Sequence, residues 1–141
     1  MMAKQDSQPA GFQEHEHTAD WELGIWAPDL PALLEQAARG MYALTGVRLV
    51  AGARQRRSIQ LEAADREILL VSFLEQLLYL GELEGLGFDE FEIEVEAGWV
   101  RAELGGAPIE TQAKEIKAVT YHNLVIRETQ RGLEANIVFD V

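Results

Sequence analysis

Cysteine is absent from the 141 residues. Its absence excludes disulfides, thiolate metal sites and cysteine nucleophiles together. Any metal site must draw on carboxylates, histidines or carbonyls, which favours hard or borderline cations. Bases are scarce too, 12 against 24 acids, for a formal net charge of -12. Such a surface repels a phosphate backbone, so tight direct nucleic-acid binding is not expected. It suits solubility, cation binding or a basic protein partner equally well. Long apolar runs are missing. The most apolar stretch, Ile68 to Leu80, is interrupted by Ser72, Glu75 and Gln76, whereas a membrane-spanning helix needs roughly 20 apolar residues. No apolar segment follows Met1, so no signal peptide is expected and the cytoplasm is the expected compartment. There is no P-loop, dinucleotide fingerprint, G-x-S-x-G or H-E-x-x-H, which leaves the common nucleotide-binding and hydrolytic signatures unrepresented.

What is present reads as one domain. Residues 1–11, polar and holding Pro9 and Gly11, are expected to form a flexible tail, and 12–141 a single folded unit. Phe12 to His17 suits a first strand. Trp21, Leu23 and Ile25 alternate with Glu22, Gly24 and Trp26 as in a second. Asp29 then suits a helix N-cap and Pro31 a first turn. Leu30, Leu33, Leu34, Ala37, Ala38 and Met41 follow at helical spacing, with Gly46 as the stop. Ser58 to Ala63 is a further strand. Asp65 opens a second helix, apolar nearly all round, that runs to about Leu83 and is ended by Gly85 and Gly87. Phe91, Ile93 and Val95 alternate with glutamates, Gly98 turns, and Trp99 to Leu104 returns. After Gly105, Gly106 and Pro108 come a polar stretch, an extended segment within Ile116 to Ile126, a hairpin at Gln130 to Gly132 and a last strand, Ala135 to Val141. The class is α+β, two long helices packed on mainly antiparallel sheet. Two strand-helix-strand halves are visible, so an internal duplication is open.

Four clusters carry chemical potential. In His15-Glu16-His17-Thr18-Ala19-Asp20, every side chain but that of Ala19 can donate, accept or ligate. The competing reading is ordinary turn hydrogen bonding by Thr18 and Asp20. Lys117-Ala118-Val119-Thr120-Tyr121-His122 puts Lys117, Val119 and Tyr121 on one face of a strand and Thr120 and His122 on the other. By itself this is a decorated strand. Asp140-Val141 offers a side-chain and a main-chain carboxylate side by side, both hard oxygen ligands, unless the end is merely solvated. The acid run Glu82 to Glu96 contains no base. It is either a wet strand face or a surface for a basic partner.

Taken in order, His17-Thr18-Ala19-Asp20, Leu77-Leu78-Tyr79-Leu80, Glu115 through His122, and Asp140 followed by one apolar residue resemble the archease family. The likeness covers Phe12 to Val141. It implies an α+β fold and a non-catalytic role: an accessory protein that promotes guanylylation and multiple turnover of a GTP-dependent RNA ligase in tRNA splicing or RNA repair. It also implies a bound divalent cation, calcium, held by Asp20 and Asp140, with the Val141 carboxylate as third ligand. His17, Lys117 and His122 fall on the rim of that site. One departure stands out. The aspartate is followed by the bulky Trp21 rather than by a small or branched apolar residue, and His15 is a local addition. A different class remains open from the residues alone, a small metal-dependent hydrolase of phosphorylated substrates built on Asp20, Asp140, His17 and His122.

Overall fold

The computed structural model describes residues 8–16 and 20–141, with the backbone alone at Glu16 and Asp20. His17, a proposed rim residue, lies outside the described residues. Among the described residues nine strands and two helices follow one another as β1 (Gly11–Glu16), β2 (Asp20–Ala27), α1 (Leu30–Thr45), β3 (Arg48–Leu49), β4 (Gln55–Glu62), α2 (Arg66–Glu84), β5 (Leu86–Glu96), β6 (Trp99–Thr111), β7 (Ala118–Thr120), β8 (Arg127–Thr129) and β9 (Gly132–Asp140). Every strand pairing is antiparallel. The fold is the expected α+β.

Both helices begin and end where the sequence chemistry dictates. Asp29 accepts from the Ala32 amide at 3.0 Å, and Asp65 from the Ile68 amide at 2.8 Å. Each cap satisfies one of the amide donors that a helix start leaves without a partner. Gly46 and Gly85 close the helices in the left-handed conformation. Gly85, at φ 69°, adopts it without the Cβ clash that any other residue would suffer.

One five-stranded sheet runs β1-β2-β9-β7, with β8 also on β9. The other is built on β6, which pairs β3, β4 and β5. Helix α1 packs on β1, β2 and β9 of the first sheet and on β5 of the second. Helix α2 packs on β4, β5 and β6 of the second and on β7 of the first. The helices therefore join the two sheets through one core, centred on Leu23, Leu33, Leu34, Met41, Leu70, Phe73, Leu74, Phe88 and Phe139. Burying each such side chain is worth roughly 1.5–3 kcal/mol.

Three local readings need correction. Gly87 does not help end α2; it is a buried residue of β5. Strand β6 does not stop at Gly105 but continues through Gly106 and Pro108 to Thr111, and the short β3 pairs with this extension. The extended segment within Ile116 to Ile126 shrinks to three residues, because β7 has only the last part of β9 to pair with. At the other end, β1 starts at Gly11, and the Trp26 indole donates to the Gln8 carbonyl at 2.9 Å. A duplication is not established. The β1–β2 hairpin precedes α1, whereas the β5–β6 hairpin follows α2. Among the described residues, no helix is long and apolar enough to cross a membrane.

Candidate functional site

At the end of β9 the backbone brings together the positions of Asp20, Asp140 and Lys117. Strand β9 pairs with β2 over its last eight residues, Leu133 against Ala27 through to Asp140 against Asp20. The register is enforced by alternation. Leu23 and Ile25 on β2, and Ala135, Ile137 and Phe139 on β9, all point into the core and are almost fully buried. A slip of one residue would turn this entire set outward. The core thus fixes which residue stands opposite Asp140, and that residue is Asp20. Directly opposed positions in an antiparallel ladder share a face, with Cβ atoms about 4.5–5.5 Å apart.

A third strand joins at the same point. Ala118 is the β7 partner of Asp140, Val119 of Phe139 and Thr120 of Val138. The Lys117 amide donates to the Asp140 carbonyl at 2.7 Å and extends the ladder by one bond. Asp140 therefore lies in the central strand of a three-strand junction, its backbone tied on both sides and its side chain exposed. Val141 follows directly and packs against the core while half-buried.

The two remaining rim candidates differ. Lys117 is brought to Asp140 by its backbone, and its side chain is exposed. His122 is not carried there by the ladder. It sits in an exposed turn beyond Thr120, where its amide donates to the Thr120 hydroxyl at 3.3 Å and its Nε2 lies 3.3 Å from Asn123 Nδ2. His15 stands opposite Glu22 in the β1–β2 ladder, with its side chain exposed.

One contact had no local signal in the sequence. The Lys114 ammonium lies over the Trp21 ring, 3.4 Å from its centroid. Trp21 is the neighbour of Asp20 and the cross-strand partner of Phe139. The bulky residue that departs from the family pattern thus turns to the core side and serves as a platform for a cation beside the junction. Carboxylates opposed across a ladder repel unless a cation or proton lies between them. Asp140 offers hard oxygen of the kind a divalent cation takes, and among the described residues no group of three or more histidines and acids is gathered that could hold an ion.

Comparison with known proteins gives this junction its context. The model of the Archease protein family matches residues 12–141. The chain belongs to the archease family. Protein archease of Methanopyrus kandleri is 31% identical over 138 residues, covering 92% of this chain and 99% of that protein. Protein archease of Methanosarcina barkeri is 32% identical over 148 residues, covering 96% and 99%. In solved structures, the fold matches protein 1598 of Methanobacterium thermoautotrophicum with TM-score 0.70 and 25% identity, over 93% of this chain and 99% of that one. It also matches an archease of Thermotoga maritima, named a possible chaperone, with TM-score 0.65. That pair is 21% identical, so the second likeness concerns the fold.

Proposed function

We propose that this archease acts as an accessory protein to a GTP-dependent RNA ligase, promoting its guanylylation and its multiple turnover in tRNA splicing or RNA repair, without catalysing a reaction itself. The observation that carries this reading is the Asp20–Asp140 register in a chain of this family, held by buried residues on both strands. Asp20 and Asp140 would hold a divalent ion, calcium foremost, with Val141 as a third ligand and His17, Lys117 and His122 at the rim. When bound, the ion supplies positive charge of the kind that nucleotide transfer needs. The chain's own contribution is positional. Phe139, Ile137 and Leu23 hold the backbone under the two aspartates, and Lys117 fastens β7 beside them. The acidic surface keeps the protein itself off the RNA and favours a basic protein partner.

The test is a ligation assay with the cognate ligase at low concentration, GTP, a divalent metal and an excess of broken RNA. Addition of this protein is expected to turn a stalled single round into many rounds. Unchanged turnover with a competent ligase would overturn the reading. A short C-terminal extension after Val141 should weaken metal affinity, and equal affinity with and without it would remove Val141 from the ligand set.

A further inference from the structure

Six large apolar side chains are exposed among the described residues: Val50, Ile68, Tyr79, Leu83, Tyr121 and Val125. Single exposed apolar residues are ordinary on any surface, whereas a contiguous group marks an interaction site. Here five of the six belong to α2 or to the loop between β7 and β8, and only Val50 lies elsewhere. Ile68, Tyr79 and Leu83 are eleven and then four residues apart, which at 3.6 residues per turn keeps them within about 60° of one line along the helix, with the half-buried Ser72 and Gln76 on that line between Ile68 and Tyr79. The buried residues Leu70, Phe73, Leu74 and Leu77 occupy the opposite side. The strip is about 22 Å long.

The loop is fastened beside this strip. The Arg66 guanidinium donates to the Ile126 carbonyl at 3.1 Å, and the Ile126 amide donates to the Glu67 carboxylate at 2.8 Å. Partial burial, then the carboxylates of Glu75 and Asp65, push the Tyr121 phenol above its ordinary pKa, in keeping with its place next to the helix. Tyr121 and Val125, 53% and 54% exposed, thus widen the strip at its N-terminal half. Tyr79, the exposed member of Leu77-Leu78-Tyr79-Leu80, stands in its C-terminal half.

Charge identifies the occupant. Glu75 and Glu82 lie along the strip, and among the described residues neither is in an ion pair, although Glu84, two residues after Glu82, is paired with Arg57. An apolar strip edged by carboxylates without cations is complementary to an apolar patch edged by lysine or arginine. A second copy of the chain would bring a further charge of -12 against it, and an RNA backbone would bring phosphates. We propose that the strip Ile68–Tyr79–Leu83 of α2, widened by Tyr121 and Val125, is the docking surface for the ligase, received by an apolar, basic-edged patch on that protein. The proposal rests on the accessory reading above and separates attachment, on α2, from the aspartates at the end of β9.

The experiment measures the affinity of the full chain for the cognate ligase by titration calorimetry at two salt concentrations. Tyr79→Gln with Leu83→Gln, which preserves helix propensity, should weaken binding at least tenfold. Glu75→Lys with Glu82→Lys should weaken it as well and flatten its salt dependence. Val50→Gln should bind as the parent does, and unchanged melting temperatures establish that all these variants fold. At saturating concentration the Tyr79/Leu83 variant should still promote turnover, whereas Asp140→Ala should bind normally and promote none. Binding within twofold of the parent for both double variants would overturn the docking surface and leave the accessory reading standing. Failure of the parent chain to bind or stimulate the ligase would overturn both. Dimerisation of the chain alone that the Tyr79/Leu83 variant abolishes would assign the strip to a second copy and overturn the proposal.

Discussion

Carboxylates are plentiful on both sheets, but the fold treats them differently. Around the second sheet each of three acids meets an arginine of β4 or of the segment before it. Asp89 receives both Nε and Nη2 of Arg54, at 2.9 and 2.8 Å. Glu84 receives Arg57 Nε at 3.1 Å, and Glu90 lies 3.1 Å from Arg56. Three of the seven acids in the run Glu82 to Glu96 are thus paired with a basic run some thirty positions earlier. At the end of the first sheet the pattern is reversed. Asp140 stands opposite Asp20, on a backbone locked by buried neighbours, and none of the ion pairs among the described residues includes it. The difference teaches that density of acids does not mark a site. A site is better marked where the fold sets acids opposite one another on a rigid, buried scaffold.

Mutation of the acids in the two regions should therefore have opposite consequences. Asp20→Ala and Asp140→Ala are expected to abolish promotion of ligase turnover, and Asp140→Ala to leave the melting temperature near that of the parent, since Asp140 is exposed and exposed substitutions usually fall within about 0.5 kcal/mol. Glu84→Ala is expected to keep full activity. Multiple-turnover ligation measures the first effect and thermal unfolding the second. Retained activity in both aspartate variants would remove the metal site from the account.

The scaffold can be attacked from beneath. Phe139 is fully buried between Trp21 and Val119 in the ladder. Phe139→Ala should cost about 3–5 kcal/mol and lower the denaturant midpoint accordingly. Arg57→Ala, which frees an acid of the second sheet, should cost far less, because exposed ion pairs contribute little. Comparable losses from the two substitutions would erase the distinction between a scaffolded acid and a merely paired one.

What could be read from the chain alone follows the same division between local and distant causes. Both helices were legible because Asp29, Asp65, Gly46 and Gly85 act within one turn of the backbone they cap. Strands β2 and β9 were legible because burial alternates through Glu22 to Ile25 and through Gly132 to Ile137. The extension of β6 was not. Gly105 and Gly106 read as a break, yet they are buried in the strand, and at Gly106 a Cβ would run into the Gly87 carbonyl and the Phe88 ring. The shortness of β7 depends on how much of β9 is left to pair with, which no local pattern records. At the junction, family resemblance nominated Asp20 and Asp140, and the ladder brings their positions together. Composition and spacing could not have paired them. Nor could they have put Lys114 over Trp21, a contact between distant parts of the chain.

The smallest expected effect concerns acid. The Arg54 guanidinium holds the Asp89 carboxyl below its ordinary pKa, chiefly by hydrogen bonding. Arg57 does the same for Glu84, and Arg131 with Thr129 for Glu134. A group whose pKa is lower in the folded than in the unfolded chain binds fewer protons when folded, so its contribution to stability rises with pH across that interval. The contribution is complete above the ordinary carboxylate range, near pH 4–4.5, and is lost as pH falls through the depressed folded value. The melting temperature should therefore drop as pH is lowered below about 4, and Asp89→Asn should make that drop shallower. Solvent screening keeps the difference within the roughly 0.2–1 kcal/mol of exposed pairs, so it is best read as a change of slope in a pH series of unfolding curves. A slope identical in parent and variant would mean that the Arg54–Asp89 pair, however well formed, contributes nothing that the unfolded chain lacks.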